Sequence, residues 1–196
     1  MSKIYMIMGK SATGKDTIYA RLMKRRDLKL KKIVPYTTRP MREGETDGVT
    51  YHFCSDQKLA ELTEAGKVVE KRTYQTVYGP WNYFTVDDDQ IDLTKQQDYL
   101  IIGTLEAFTH IRNYYGKRRV VPIYIEVEDG IRLTRALGRE KKQKEPKYDE
   151  MCRRFLADQQ DFSEENLKKA GVRKRFVNLS LKTTVNVIAA YIKKGR

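Results

Sequence analysis

A glycine-rich loop placed directly after a short apolar run is the feature that most limits what this chain can fold into. Residues 4–8 are apolar and suit a buried strand, and residues 16–26 carry apolar side chains at helical spacing. The pattern GxxxxGK stands between them, and with the two residues after it reads Gly9, Lys10, Ser11, Ala12, Thr13, Gly14, Lys15, Asp16 and Thr17. Glycines let the backbone wrap a phosphate, and amides at a helix start point towards it. This strand–loop–helix setting therefore predicts a phosphate-binding loop.

The two residues at the end of this pattern predict how a nucleotide and a metal would be held. Lys15 is placed to reach the β- and γ-phosphates. The next position usually carries Ser or Thr, whose hydroxyl binds Mg²⁺, but here it is Asp16. A carboxylate is also a hard-oxygen ligand, so we expect Asp16 to bind Mg²⁺ directly or through water. The alternative is that Asp16 only caps the helix.

The order of the predicted elements indicates an α/β fold. Strand-like and helical segments alternate along the chain, which favours a parallel sheet core flanked by helices. Residues 37–87 break this alternation with short strands and loops, as an inserted mixed-β lobe would. We expect one domain over residues 1–196, with a core of 1–36, 97–137 and 171–196, a lobe of 37–96 and an Arg-rich lid of 138–170. Within the lid, 138–147 predicts a charged loop, and 148–170 predicts one long helix.

Composition excludes several classes of protein. The two cysteines, Cys54 and Cys152, are far apart and match no zinc or disulfide pattern. Apolar runs are strand-sized, so we expect no membrane span, and without a recognisable leader we expect the cytoplasm. Thirty-nine Lys and Arg against 26 Asp and Glu give a net charge of +13. This charge suits an anionic ligand, but no recognition motif accompanies it, so we do not expect a nucleic acid partner.

A second motif is predicted to bind a phosphate monoester. Residues 37–53 read TTRPMREGETDGVTYHF and are typical of a loop. Arg39 and Arg42, three residues apart, can converge on one phosphate with bidentate geometry, and Tyr51 can add a hydroxyl donor. Farther along, Glu70 follows an apolar pair, and Tyr78 begins a Tyr-Gly-Pro corner.

This segment closely resembles the signature of guanylate kinases, which follows their phosphate-binding loop at this distance. The resemblance covers nearly the whole chain, from the loop to the final strand and helix. It implies a parallel-sheet core, a nucleoside-monophosphate lobe and a lid. It also implies that the γ-phosphoryl group of ATP, bound with Mg²⁺, is transferred to GMP. The partners would be these two nucleotides, with the protein acting as a monomer or homodimer.

The resemblance also assigns site residues. Arg39, Arg42, Tyr51 and Tyr78 would hold the monophosphate, Glu45 would orient the arginines, and Glu70 would accept hydrogen bonds from guanine; Gly79 and Thr104 would complete the GMP site. Arg135 and Arg154 look like the lid arginines over the ATP phosphates, with Arg139 able to replace the first, and Asn178 lies where the last strand approaches adenine. The catalytic residues implied are Lys15, Arg39, Arg42, Arg135 and Arg154.

Three departures from the family pattern keep other functions open. Pro35 stands where Ser is common, Pro80 stands where Ser or Thr is expected, and Ile102 and Thr104 occupy the usual positions of two aspartates. Ribose 1,5-bisphosphate phosphokinases resemble this family and include loops of the GKD type, so another acceptor is one alternative. A catalytically silent, phosphopeptide-binding module is another, although such modules usually have damaged loops, whereas Lys15 is present here.

Overall fold

The main sheet of this protein has five parallel strands. The structure is a computed structural model, and it describes residues 2–76 and 79–195. The order of the sheet is β2-β7-β1-β8-β9, with β1 in the centre. Numbered in chain order, these strands are β1 (Ile4–Met8), β2 (Leu30–Lys32), β7 (Asp98–Ile102), β8 (Val120–Glu126) and β9 (Arg175–Val177). Every residue of β1 is buried, as is typical of a strand covered on both faces.

Helices cover both faces of this sheet. The helices of the described chain are α1 (Lys15–Met23), α2 (Asp56–Glu64), α3 (Leu105–Tyr115), α4 (Asp129–Glu140), α5 (Tyr148–Asp161), α6 (Glu164–Lys169) and α7 (Leu181–Lys194), with a 3₁₀ turn at Arg26–Leu28; α2 packs on the second sheet, described below. Alternate residues of β1 enter two separate cores. Met6 packs with Phe108 of α3 on one face, and Ile7 packs with Ile18 of α1 and Ile188 of α7 on the other.

A second, four-stranded sheet lies within the part of the chain that breaks the alternation. Its strands are β3 (Tyr36–Thr37), β4 (His52–Phe53), β5 (Val68–Thr76) and β6 (Gly79–Val86), in the order β4-β3-β6-β5. β3 pairs parallel with β4, whereas β6 pairs antiparallel with β3 and β5, so the sheet is mixed. Leu59 of α2 packs against Phe84 and Val86 on one face. The predicted α/β fold class is confirmed.

The segment around residues 138–170 differs from the prediction in two places. The expected loop starts later, because α4 continues through Gly138 to Glu140. Glu140 is buried, and its carboxylate accepts hydrogen bonds from the Lys147 backbone N–H at 2.7 Å and the Gln143 amide at 3.0 Å. It thereby ties the following loop to the helix end.

The expected single helix of 148–170 is wrong, because the chain forms α5 and α6 with a break between them. Phe162 turns into the core, where it is buried, and its ring stacks on Tyr124 at 5.6 Å. Ser163 then caps α6 by accepting a hydrogen bond from the Asn166 N–H at 3.3 Å. Within residues 2–76 and 79–195, no helix has both the length and the apolar character that crossing a bilayer requires.

Candidate active site

The glycine-rich loop lies at the carboxyl end of the central strand and has the backbone curvature that a phosphate cradle needs. Ala12 and Gly14 both have left-handed φ values, 61° and 83°. Gly9 allows the loop to pass close to β8, because a Cβ there would lie 2.6 Å from the Ile125 carbonyl oxygen. Thr13 folds the loop back on itself by donating from Oγ1 to the Lys10 carbonyl at 2.8 Å.

Asn178, directly after β9, supports the loop from the side. It is buried, and its Nδ2 donates to the Thr13 carbonyl at 2.8 Å. The same amide nitrogen would lie 2.8 Å from a Cβ added at Gly14, so glycine is required for this contact as well as for the positive φ. Asn178 was predicted to lie near adenine. In this structure its side chain instead supports the phosphate-binding loop.

Lys15 and Asp16 begin α1 at the edge of the loop. The Lys15 Nζ lies 3.4 Å from an Asp16 carboxylate oxygen, and the Asp16 side chain is 81% exposed. The N-cap residue of α1 is Gly14, so Asp16 lies in the first turn and does not take the cap position. Its carboxylate is open to a cation. No group of three or more His, Cys, Asp or Glu residues suited to a metal occurs among the residues described.

A buried charge network connects the loop to α4 and α5, and the sequence reasoning missed it. The Arg132 side chain is 1% exposed; it donates to the Ser11 carbonyl at 2.9 Å, to Asp129 at 2.5 Å and to Asp158 at 2.9 Å. Asp158 also accepts the Ser11 backbone N–H at 2.7 Å. Lys10 of the loop donates to the Gln159 side chain, which lies on α5 next to Asp158.

A signal for Arg132 was present in the sequence. Arg132, Ala136 and Glu140 are spaced four residues apart, share one face of α4 and are all buried. An arginine on a buried helix face needs an anionic partner, and Asp158 of α5 supplies one. Because Asp158 lies far away in sequence, periodicity alone could not identify it.

The three predicted lid arginines are all exposed and lie on α4 and α5. Arg139 and Arg154 line one small cleft together with Ser11 of the loop. Arg154 is held by Glu150 at 2.6 Å, the same acid that pairs with Arg153. Arg135 instead donates to the Asn178 carbonyl at 3.4 Å. The structure thus brings Arg139 and Arg154 together beside the loop and places Arg135 at its Asn178 side.

The predicted acceptor-phosphate loop is organised by one carboxylate. Arg39 is 3% exposed and makes a bidentate pair with Glu45 at 2.8 and 2.9 Å. Glu45 also accepts the Arg42 backbone N–H at 2.7 Å. The hydrogen bonds from Arg39 hold the pKa of Glu45 at about 2, so this acid is ionised at neutral pH. The Arg42 side chain is exposed.

Aromatic rings pack around the Arg39 guanidinium. It lies 5.6 Å from the Tyr51 ring centroid and 5.4 Å from that of Phe53. Tyr51 also meets Tyr83 edge-on at 5.6 Å. Burial raises the pKa of the Tyr51 hydroxyl, so this group remains a neutral hydrogen-bond donor.

Glu70 has a partner that the sequence reasoning missed. Its carboxylate accepts hydrogen bonds from Arg72 Nε at 3.0 Å, from Arg72 Nη2 at 3.4 Å and from Thr85 Oγ1 at 2.8 Å. Glu70 and Arg72 are two residues apart on β5 and therefore share a face of that strand. This spacing is the signal that could have identified the pair.

The remaining predicted residues are at the ends of strands. Thr104 follows β7 and caps α3, since its Oγ1 accepts the Ala107 N–H at 3.2 Å. Gly79 opens β6 with a φ of 99°. Tyr78 lies outside the described residues.

Comparison with other proteins identifies the family. The family model described as Guanylate kinase matches residues 1–165. A guanylate kinase of Mesomycoplasma hyopneumoniae (strain 7448) is 32% identical over 120 residues, which cover 60% of this chain and 58% of that protein. One of Porphyromonas gingivalis (strain ATCC BAA-308 / W83) is 31% identical over 119 residues, which cover 60% of this chain and 62% of that protein. The chain thus spans less than two thirds of the length of these relatives.

A solved structure supports the same fold. The crystal structure of guanylate kinase from Anaplasma phagocytophilum superposes with a TM-score of 0.64 over 98% of this chain and 85% of that one, at 16% identity. This likeness bears on the arrangement of strands and helices alone. The sequence match over residues 1–165 includes both the glycine-rich loop and the Arg39–Glu45 loop, and the chain belongs to the guanylate kinase family.

Proposed function

We propose that this protein transfers the γ-phosphoryl group of ATP to GMP, giving ADP and GDP. The observation that carries the proposal is the shape of the loop at the end of β1, with left-handed Ala12 and Gly14 and with Lys15 at the start of α1. Membership of the family supplies the acceptor class. We also infer that it acts in the cytoplasm, since both cysteines are free thiols, as reducing compartments keep them.

The donor would bind where positive groups gather around the loop. Phosphoryl transfer requires little covalent chemistry, so the protein acts by aligning two anions and neutralising the charge that spreads over the transferred group. Lys15 would contact the β- and γ-phosphates, and backbone amides of the loop would contact the phosphate oxygens. Arg139 and Arg154, which share a cleft with Ser11, would close over the phosphates, with Arg135 beside them. Closure excludes water, which would otherwise hydrolyse ATP.

The acceptor phosphate would bind at the Arg39–Glu45 loop. Arg39 uses much of its donor capacity on Glu45 and on the Pro40 carbonyl, so it chiefly fixes the loop. Arg42 has its backbone anchored and its side chain exposed, which suits it to contact the phosphate directly. Tyr51, against the Arg39 guanidinium, would add a neutral donor.

The donor set at the loop fits Mg²⁺ bound together with a nucleotide. Mg²⁺ commonly takes one or two carboxylates, keeps several waters and shares phosphate oxygens. Asp16 supplies one exposed carboxylate beside Lys15, and the other ligands would be phosphate and water. When bound, the ion would neutralise phosphate charge during transfer. Asp16 would position it, and the same carboxylate would repel the nucleotide in its absence.

A second candidate is transfer to a different acceptor, such as ribose 1,5-bisphosphate. The contact between Glu70 and Arg72 favours it, because the carboxylate expected to receive guanine already receives a guanidinium. A silent phosphopeptide-binding module is the third candidate, and it needs neither Lys15 nor Mg²⁺.

A coupled assay of ADP release with ATP and Mg²⁺ tests these candidates. The acceptors are GMP, dGMP, AMP, CMP, UMP and ribose 1,5-bisphosphate, with the Lys15→Ala variant as the inactive control. Turnover of GMP supports the proposed reaction. Turnover of ribose 1,5-bisphosphate without GMP supports the second candidate, and no turnover with ATP still bound supports the module. A titration of Mg²⁺ with Asp16→Ala tests the metal ligand, and an unchanged Mg²⁺ dependence would reject it.

A further inference from the structure

The acid expected to select guanine is covered by a neighbouring cation. The Glu70 side chain is 1% exposed, whereas that of Arg72 is 15% exposed. Both carboxylate oxygens are engaged, one by Arg72 Nε and the other by Arg72 Nη2 and Thr85 Oγ1. A ligand that approaches from solvent therefore meets the guanidinium before it meets the carboxylate.

The pair lies on the sheet face that carries the acceptor-phosphate residues. Arg72 stands directly opposite Tyr83 in the pairing of β5 with β6, and such partners share a face. The Tyr83 ring packs edge-on against Tyr51, which in turn contacts Arg39. Lys71 stands opposite Phe84 on the other face, which packs against α2. Arg72 thus lies in line with the acceptor site, and Lys71 lies behind it.

The hydrogen-bonding chemistry of the two partners is opposite. The N1–H and 2-amino groups of guanine are donors, so an ionised carboxylate can accept from both of them. A guanidinium has five donors and no acceptor, so it cannot pair with this edge of guanine. Guanine can reach Glu70 only by displacing Arg72 from a charge-assisted contact.

We propose that Arg72 is a specificity-determining residue that withholds Glu70 from the acceptor's base. This inference rests on the proposed acceptor site. The protein then selects its acceptor mainly through the phosphomonoester end, by way of Arg42 and Tyr51, and discriminates weakly between purine bases. Removal of the guanidinium frees a carboxylate that Thr85 still holds on the face of the acceptor site.

Binding measurements on matched variants test the inference. Calorimetry gives the Kd of GMP, AMP and ATP for the full chain, for Arg72→Ala and for Lys71→Ala, which removes a cation from the opposite face of the same strand. We expect Arg72→Ala to bind GMP about tenfold more tightly, by the worth of one charge-assisted hydrogen bond, with the Kd of AMP and ATP unchanged. Lys71→Ala is expected to leave all three constants unchanged.

Weaker binding of GMP by Arg72→Ala would overturn the proposed role of Arg72. If Arg72 instead reads acceptor atoms such as O6 and N7 of guanine, Arg72→Ala will bind GMP more weakly than the unaltered protein. An unchanged Kd for GMP would equally reject the proposal, provided that ATP still binds and shows the variant to be folded.

Two further variants keep the test decisive if Arg72→Ala fails to fold because Glu70 is left as a buried, unpaired charge. Arg72→Gln removes the charge but keeps a donor, and a smaller gain in GMP affinity is expected. The double variant Arg72→Ala/Glu70→Gln removes both charges, and the gain must disappear. A gain that persists without the carboxylate would refute the role of Glu70.

Failure of the inference differs from failure of the proposed function. The proposed function fails if the unaltered protein turns over no nucleoside monophosphate with ATP. The role of Arg72 is judged instead by the ratio of Kd values between variant and unaltered protein, which requires no turnover.

Discussion

Single backbone positions in the glycine-rich loop carry requirements that side-chain chemistry does not show. Gly14 has a φ of 83°, and its α-carbon faces the Asn178 amide that holds the Thr13 carbonyl. Gly138 has neither requirement, because it lies inside α4 and no atom would lie within 4 Å of a Cβ added there. The two glycines therefore form a matched pair for substitution.

Gly14→Ala is expected to lower the free energy of unfolding by about 1–3 kcal/mol, since alanine is strained at positive φ and its Cβ would displace Asn178. It should also weaken ATP binding. Gly138→Ala is expected to raise the free energy of unfolding by about 0.5–1 kcal/mol, because alanine restricts the unfolded chain and suits a helix interior. Denaturant unfolding measures both. Equal effects of the two substitutions would contradict this account.

Glu45 is the residue on which the acceptor-phosphate loop depends. Glu45→Gln removes the ionic pair with Arg39 and weakens the anchor of the Arg42 N–H. We expect KM for the acceptor to rise about tenfold, the worth of one charge-assisted hydrogen bond, with KM for ATP unchanged. Glu43→Gln, an exposed neighbour, is the control in steady-state assays. Parallel changes in both KM values would show a general loss of structure instead.

The same acid predicts a dependence of stability on pH. The Arg39 hydrogen bonds lower the pKa of Glu45 from 4.5 to about 2 in the folded chain. Its stabilisation is therefore fully present above pH 4.5 and is lost as the pH falls towards 2. Between pH 4.5 and 2, the free energy of unfolding of Glu45→Gln should therefore fall less than that of the unaltered protein. Unfolding curves between pH 5 and 2.5 measure the difference, and parallel pH profiles would contradict the prediction.

At the scale of elements, the buried network makes α4, α5 and the loop one unit. Arg132 on α4 joins Asp158 on α5 to the Ser11 carbonyl, while Phe155 packs on the guanidinium at 4.9 Å. Asp158 in turn holds the Ser11 N–H. Both helices therefore hold the phosphate-binding loop through direct hydrogen bonds to Ser11.

Arg132→Met is expected to lower the free energy of unfolding by about 3 kcal/mol, because it removes the buried guanidinium and leaves Asp158, which is only 15% exposed, without its cation. Arg153→Met is the control, since Arg153 is exposed and its ion pair with Glu150 is worth about 1 kcal/mol or less. Thermal unfolding with and without ATP measures both. A similar Tm for the two variants would show that the network contributes little.

For the whole molecule, the parallel sheet gathers the site at one edge. The loop follows β1, Thr104 follows β7 and Asn178 follows β9, and the carboxyl ends of parallel strands lie together. The net charge of +13 adds a field that would attract multiply charged anions such as the two proposed substrates.

Salt should therefore weaken the binding of both proposed substrates. The Debye length falls from about 10 Å at 0.1 M to about 3 Å at 1 M ionic strength. We expect KM for ATP and for the acceptor to rise severalfold between these conditions in sodium chloride, with sucrose at equal osmolality as the control. Equal responses to salt and sucrose would indicate that the charge has no role in binding.

The local pattern of the chain determined the elements and the phosphate-binding loop. Strand β1 (Ile4–Met8) matches its predicted bounds, because apolar spacing and glycine positions act within a few residues. The α/β class followed from the alternation of these elements. The signal for the break between α5 and α6 was local too, since Ser163 has the chemistry of a helix N-cap, but the prediction of one helix over 148–170 did not use it.

Only the tertiary structure decided which charges meet. Arg132 with Asp158, and Asn178 with Thr13, depend on chain segments that packing brings together, as does the contact of Thr85 on β6 with Glu70 on β5. Buried charges need partners within hydrogen-bonding distance, and that distance is set by the fold rather than by neighbours in sequence. The sequence thus determined the phosphate-binding loop, whereas the fold decided which distant side chains hold that loop in place.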